Sequence, residues 1–585
     1  MTNKPVFIQV ILPLRLEWEP YYVIEDGLPV SVGERVEAVL SGRRYIGVVS
    51  AVDVQPPADV KRILPASRIA LPPIGERELA FWRAIADYYL CGVGEVYKAA
   101  YPQQKQDSEE VAVRMQERLE KRLAVLLEKE QKARKDSTRE EYRRQIQRIQ
   151  ALLAGEADTA PSSGNTWEEI RKTVLLKGGA AKFPLYMEQV RLTLSQGKSV
   201  LYLVPDIALS RQLEDAVESY FPQLMTYHSA LSPARRRAVA DYVRKTPASL
   251  VLGTRSALFL PHGNLGLVIV DQEHDISHKQ DSPAPRYHAR ESAILLAGIH
   301  GAHVVLGSET PSLESVYNTE TGRYQGVDLQ DFSPCEVLLV HMSAEARKKG
   351  MVGSFSLKLL EQMHRAREAG KKVLLVCRSK AAIPEYEQEL KAVLGPETKG
   401  IVLASPASAR GLAAGSFGVV GLLQADTVLA REDFRCDEKA VQALRMLMDR
   451  CTPDGILVIQ TRESAHPVFR EFSGDCSGHL LEERRQFGYP PYTRLVQLVL
   501  KDVSDKRRSF MAAELVRELR QVLPQEVNVV GPYTSPVNAL ETHIRLFLPR
   551  NKALLTCKKA VYNTFVSFEK NRKYTGHIHI DVDPV

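Results

Sequence analysis

The most telling shortage in this 585-residue chain is of paired cysteines. Its seven, Cys91, Cys335, Cys377, Cys436, Cys451, Cys476 and Cys557, are odd in number, scattered and never spaced CxxC. That pattern speaks against a disulfide framework and against a Cys-rich zinc site. Long apolar runs are missing too: no stretch of about 18 such residues exists to span a bilayer, so no membrane partner is expected. The opening MTNKPVFIQVILPLRLEWEP has too short an apolar stretch, and no small-residue cleavage site, for a signal peptide. The cytoplasm is the expected compartment. Nor does one sign of charge dominate: 78 Lys+Arg against 71 Asp+Glu leave +7. Such mild basicity permits nucleic-acid binding without demanding it.

What is present reads as a soluble, globular composition, 44% hydrophobic and 25% charged. The chain is too long for one core, and about three to five domains are expected. Up to about residue 72 it reads as a small β domain, with the β-branched run RYIGVVSAVDV (44–54) preceded by turn glycines Gly27, Gly33 and Gly42. A helical stretch, ELAFWRAIADYYLCGVGEVYKAAYP, follows and ends near Pro102. Residues 106–156 are mixed in charge, with Val111, Met115, Leu119, Leu123 and Leu126, then Tyr142, Ile146, Ile149 and Leu153, at helical spacing. This predicts two amphipathic helices about Asp136-Ser137, serving either as a solvated linker or as a partner-docking coiled coil.

Beyond about residue 167, short apolar runs end in small or polar residues and alternate with helix-period segments. They are SVLYLVP (199–205), SLVLGT (249–254), LGLVIVD (265–271) and AHVVLGS (302–308), then KKVLLVC (371–377), GVVGLLQAD (418–426) and GILVIQT (455–461). The alternation predicts parallel α/β sheets, which bind ligands beyond the carboxyl ends of their strands, where Asp271 would sit. The last hundred or so residues mix strands such as RLVQLVL (494–500) with a helix near 506–523.

Several strings, in order, resemble the PriA (primosomal protein N′) family of superfamily 2 helicases. They are VPDIALS (204–210), YHSALS (227–232), LGTRSALFLPHGNLGLVIVDQEHD (252–275), HKQDSPAPRYHARESA (278–293), LGSETPSLES (306–315), ADTVLAREDFR (425–435), FGYPPYTRL (487–495) and DVDP (581–584). VILPLRLEWEPYYVI (10–24) resembles the family's amino-terminal DNA-binding domain. The resemblance implies a β-rich DNA-binding domain (1–72), a helical region with the charged insertion (73–166), two RecA-like lobes (167–334 and 335–475) and an α+β carboxy-terminal domain (476–585). It also implies DNA, forked or single-stranded, as partner, together with primosomal or single-strand-binding proteins. Tyr22, Lys61, Arg255, Arg286, Tyr287 and Arg290 are the expected DNA contacts, since strand binding combines cations with aromatic rings.

A motor of this family needs a phosphate cradle, a magnesium ligand, a base and cations for the developing charge. The cradle GxxxxGK(S/T) falls on Leu176 to Pro184, so Gly178, Gly179 and Lys182 would touch nucleotide. That loop is about two residues shorter than the family's, with Ala181 for the last glycine and Phe183 for the magnesium-binding hydroxyl. The Asp-Glu-Glu-His motif reads Asp271, Gln272, Glu273, His274. Asp271 could serve magnesium, but Gln272 cannot accept a proton, and losing a base costs about 10²–10⁴ in rate. Glu309 adds a carboxylate beside the phosphate site, and of two family arginines only Arg450 has a counterpart, the second falling on Pro453. A missing arginine finger costs about 10³–10⁵ in turnover. The zinc insertion is replaced by EYEQELKAVLGPETKG, without Cys or His. ATP, Mg²⁺ and zinc are therefore not expected. Three readings stay open: a non-hydrolysing DNA-binding scaffold, an active 3′→5′ helicase with an unorthodox phosphate loop, and a repurposed protein acting through 106–156.

Overall fold

Local sequence and observed elements agree most closely where apolar runs are continuous. In a computed structural model, described here for residues 5–26, 28–56, 63–102, 111–132, 136–153, 173–330, 335–395, 398–429, 433–536, 538–572 and 576–585, the chain divides into two units. The first comprises 1–174, 183–306 and 493–585; the second comprises 175–182 and 307–492.

The first unit opens with a six-stranded, mostly antiparallel sheet in the order Leu64–Pro65, Tyr21–Ile24, Val6–Ile11, Arg43–Val52, Arg35–Leu40, Ser67–Arg68. Ile8, Val10, Val36, Ala38 and Val49 alternate inward to form its core. The helical stretch that follows is broken, contrary to expectation, into Glu76–Tyr89 and Val93–Ala100. Leu90 takes a left-handed conformation (φ 54°), and Glu95 accepts the Gly92 N–H at 2.9 Å to start the second helix. Gly94 must be glycine, because a Cβ there would stand 2.1 Å from the Leu12 carbonyl oxygen.

The charged insertion forms two helices, Val111–Lys132 and Asp136–Leu153, closed on Leu126, Ile146 and Ile149. The first lies against the helix Pro233–Lys245, so the pair is not merely a solvated linker. A parallel sheet then sets Leu265–Asp271 beside Ser199–Leu203, followed by Leu250–Gly253 and Met225–Tyr227. The first three of these strands are buried on both faces, which is why they read as unbroken apolar runs. The unit ends in a four-stranded antiparallel sheet, Asn528–Thr534, Glu541–Pro549, Thr493–Lys501, His577–Val582, packed by helices Asp505–Val522 and Leu554–Arg572.

The second unit is built on five parallel strands: Glu336–His341, Cys451–Thr461, Phe417–Leu422, Val373–Val376 and Ile401–Ala404. Helices Leu357–Glu368, Ile383–Leu394 and Cys436–Asp449 cover it. The architecture is the expected one, parallel α/β lobes with a β-rich amino-terminal and an α+β carboxy-terminal domain. No helix of the described residues is long and apolar enough to cross a membrane.

Candidate functional site

In the second unit, the phosphate-loop residues fold on themselves. The strand Thr173–Lys177 is followed by a turn over 178–181, and the helix Lys182–Ser195 starts at the lysine itself. The Gly178 N–H donates to the Ser308 carbonyl (3.0 Å) and the Lys182 N–H to that of Gly179 (3.3 Å). A phosphate cradle works by aiming such N–H groups at the anion. Lys182 Nζ lies 2.9 Å from Glu309 Oε1, with the lysine side chain 4% exposed and the glutamate 32%. The buried ammonium thus already has its counter-charge, supplied by the carboxylate that replaces a family alanine. Arg450, expected from the resemblance to match one family arginine, is mostly buried and pairs with Asp449 at 3.1 Å.

In the first unit, Asp271 ends a fully buried strand. Its carboxylate accepts the hydroxyls of Tyr186 (3.1 Å) and Tyr202 (3.4 Å) and the N–H of Gln272 (3.0 Å). Both tyrosines are buried, their rings 5.6 Å apart edge to face. Gln272 turns the chain in a left-handed conformation (φ 49°) and its carbonyl accepts the Asp275 N–H. Glu273 is fully buried and pairs with Arg290 at 2.8 Å. Its carboxylate is engaged in that ion pair with a side chain that is itself buried. His274 is half-buried beside it. Phe183, in the slot of the magnesium-binding hydroxyl, leans its ring on Tyr220 (6.1 Å). Lys182 is thus engaged by Glu309 within the second unit; within the first, Asp271 is engaged by two phenols and position 183 holds a phenylalanine.

Of the six expected DNA contacts, three are buried. Tyr22 is a core residue, 2% exposed, with its hydroxyl on the Val39 carbonyl (3.0 Å); its strand turns that face to the sheet interior. Tyr287 is equally buried, edge-on to Phe259 at 5.1 Å. Arg290 is spent on Glu273 and Glu291. All three side chains are buried and engaged within the fold rather than displayed to solvent. Arg255 is half-buried, donating to the Ser277 carbonyl (2.7 Å) and Gln280 (3.4 Å), and Arg286 is half-buried, burial lowering its pKa. Lys61 lies outside the described residues.

What the motif reading missed is a set of buried struts within the first unit. Lys279, with a side chain 1% exposed, pairs with Asp581 (2.7 Å) and donates to the carbonyls of Arg286 and Val582. Burial raises the Asp581 pKa even though Lys279 opposes the shift. Arg494 stacks on Tyr88 (4.0 Å) and pairs with Asp583 (3.1 Å). The strings HKQ, YTRL and DVDP were visible, but nothing local says that residues some 300 positions apart neutralise one another.

Residues 9–102 match the model of the 3′DNA-binding domain (3′BD), and residues 485–585 that of the Primosomal protein N C-terminal domain. The replication restart protein PriA of Treponema pallidum is 25% identical over 660 residues, spanning 95% of both chains. That of Rickettsia conorii is 22% identical over 683 residues, 98% of this chain and 99% of the relative. The Bacillus subtilis protein is 26% identical over 513 residues, 70% of this chain but only 63% of that protein. Among solved structures, a DEAD box protein from Methanococcus jannaschii covers 52% of this chain and 85% of its own at 12% identity and a TM-score of 0.29. The DUF1998 helicase MrfA covers 58% and 53% at 15% identity and a TM-score of 0.33.

Proposed function

Because the chain belongs to the PriA family of replication restart proteins, we propose that it acts as a DNA-binding restart protein whose motor lobes do not hydrolyse ATP. The observation that carries this reading is the ion pair of Lys182 with Glu309. A P-loop lysine works by donating its charge to the β- and γ-phosphates. Here a covalently tethered carboxylate, present at high effective concentration, competes for that charge in a poorly hydrated setting, where a pair is hard to separate. Gln272 compounds the loss, since a carboxamide orients a water but takes no proton from it.

DNA is the partner that the amino-terminal domain match supports. Preference for forked or single-stranded forms, and recruitment of primosomal or single-strand-binding proteins, belong to the proposal. In such a scaffold, affinity comes from phosphate contacts and stacking rather than from cycles of hydrolysis, so binding weakens steeply with salt.

The test is steady-state phosphate release by the full chain with a forked DNA, beside fork-binding titrations at several salt concentrations. We expect salt-dependent binding and phosphate release at background, where Gln272→Glu alone leaves it, because Lys182 stays engaged. DNA-stimulated turnover above about 1 s⁻¹ would overturn the reading.

A further inference from the structure

Three aromatic rings of the second unit form a ladder that the motor motifs do not explain. Phe434 and Tyr489 stack with centroids 4.7 Å apart and planes 21° from parallel; Tyr489 and Phe487 follow at 6.0 Å and 27°. The inner end is closed by two guanidinium groups, Arg435 at 4.4 Å and Arg484 at 5.1 Å from the Phe434 centroid. Those cations are in turn neutralised by Glu314 and Glu438. The outer end is open: Phe487 is 63% exposed.

Two features make the open end more than a stray surface phenylalanine. Phe487 caps the helix Ser477–Gln486, and residues two apart on a continuing helix do not face each other. Gly488, in the left-handed region at φ 64°, turns the backbone so that Phe487 and Tyr489 share a side. The Phe487 N–H is also fixed, donating to the Glu483 carbonyl at the end of the helix Ser477–Gln486. A ring held by its backbone and stacked through one face presents the other with little entropy left to lose on binding.

The size and chemistry of that face select its occupant. A stable protein interface needs about 1,000 Å² or more, which one ring does not offer. A single ring of this kind is instead the platform on which strand-binding proteins stack a base, with a nearby cation for the adjoining phosphate. Arg485, its side chain 70% exposed and only 4.0 Å-paired with Glu482, stands two residues away. We propose that Phe487 is a stacking platform for one unpaired nucleobase of a bound DNA strand, with Arg485 on the neighbouring phosphate. The proposal rests on the reading that the chain binds DNA.

The full chain, Phe487→Ala and Phe487→Trp are titrated with a single strand carrying 2-aminopurine and with a blunt duplex of the same length. Phe487→Ala should weaken single-strand binding about fivefold or more and abolish the stacking-dependent quench of 2-aminopurine. Phe487→Trp should restore both, while duplex binding and the thermal midpoint stay unchanged. Equal single-strand affinity and quench for wild type and Phe487→Ala would overturn the proposal while leaving DNA binding intact, assigning the ring to a protein partner instead. A parallel loss of duplex binding would overturn it as well, marking a structural defect. Failure of the wild-type chain to bind either DNA would sink the DNA-binding reading, and this proposal with it.

Discussion

Lys182 and Glu309 each need the other more than the fold needs the pair. With the lysine side chain 4% exposed, removing its partner leaves an ammonium in a site that water barely reaches. Breaking a fully buried pair costs about 3–5 kcal/mol, whereas replacing both members with apolar side chains is often neutral. Because Glu309 is about one-third exposed, the penalty is discounted. Glu309→Ala should destabilise by about 1–3 kcal/mol, and Lys182→Met with Glu309→Leu should come back to within about 1.5 kcal/mol of wild type. Denaturant midpoints for the four chains of this cycle measure it; additive losses would show that the two side chains are not coupled. The residue identities were legible, since Ala181, Phe183, Gln272 and Glu309 depart from the motif in the sequence itself. That Glu309 closes on Lys182 was not, because the two are 127 positions apart and only the fold brings them to 2.9 Å.

At the scale of elements, the helical hairpin is the part most separable from the rest. Its described core is small, Leu126, Ile146 and Ile149 with Leu123 and Tyr142 against them. Few buried side chains leave little energy to offset helix ordering, so packing rather than propensity holds the two helices together. Ile149 is fully buried, and Ile149→Ala should cost about 2–5 kcal/mol. That exceeds what such a hairpin can spare, so hydrogen exchange should show loss of amide protection over 136–153 while the main thermal transition stays in place. A fall in the main transition would mean that the hairpin is integral to its unit. Helical periodicity announced both helices, since i, i+3 and i+4 spacing is local. The break at Leu90 escaped that reading because it depends on Gly92 docking against the Leu16 backbone and Gly94 against that of Leu12 and Leu14.

For the whole molecule, acid is the sharpest probe. Burial pushes His262 down to about 4, where its Nε2 faces the Ala257 carbonyl at 3.3 Å; His300 is likewise lowered to about 4 and His579 to about 3. Each stays neutral in the folded chain while its unfolded counterpart takes up a proton below about pH 6.5. A depressed folded pKa means that this stability is complete above about 6.5 and drains as pH falls from there toward 4. For His262, which is 4% exposed, the loss is about 3 kcal/mol by pH 4. The thermal midpoint should therefore be level above pH 6.5 and fall below it, and His262→Gln should flatten the fall between 6.5 and 5. An unchanged slope in that variant would remove His262 from the account.

Residue order was enough to specify the two parallel-sheet lobes and the β-rich and α+β ends, and to show Ala181, Phe183 and Gln272 where the resemblance leads one to expect a glycine, a hydroxyl and a carboxylate. Strand burial and helix period are written in neighbouring residues, and a missing functional group needs no fold to be noticed. Tertiary structure alone decided what the remaining polar groups do. Tyr186 and Tyr202 occupy Asp271, Arg290 serves Glu273, Lys279 serves Asp581, and Tyr22 and Tyr287 turn inward. Whether a charge or a ring meets solvent or a partner depends on which distant segment folds against it, and low dielectric then makes that pairing obligatory.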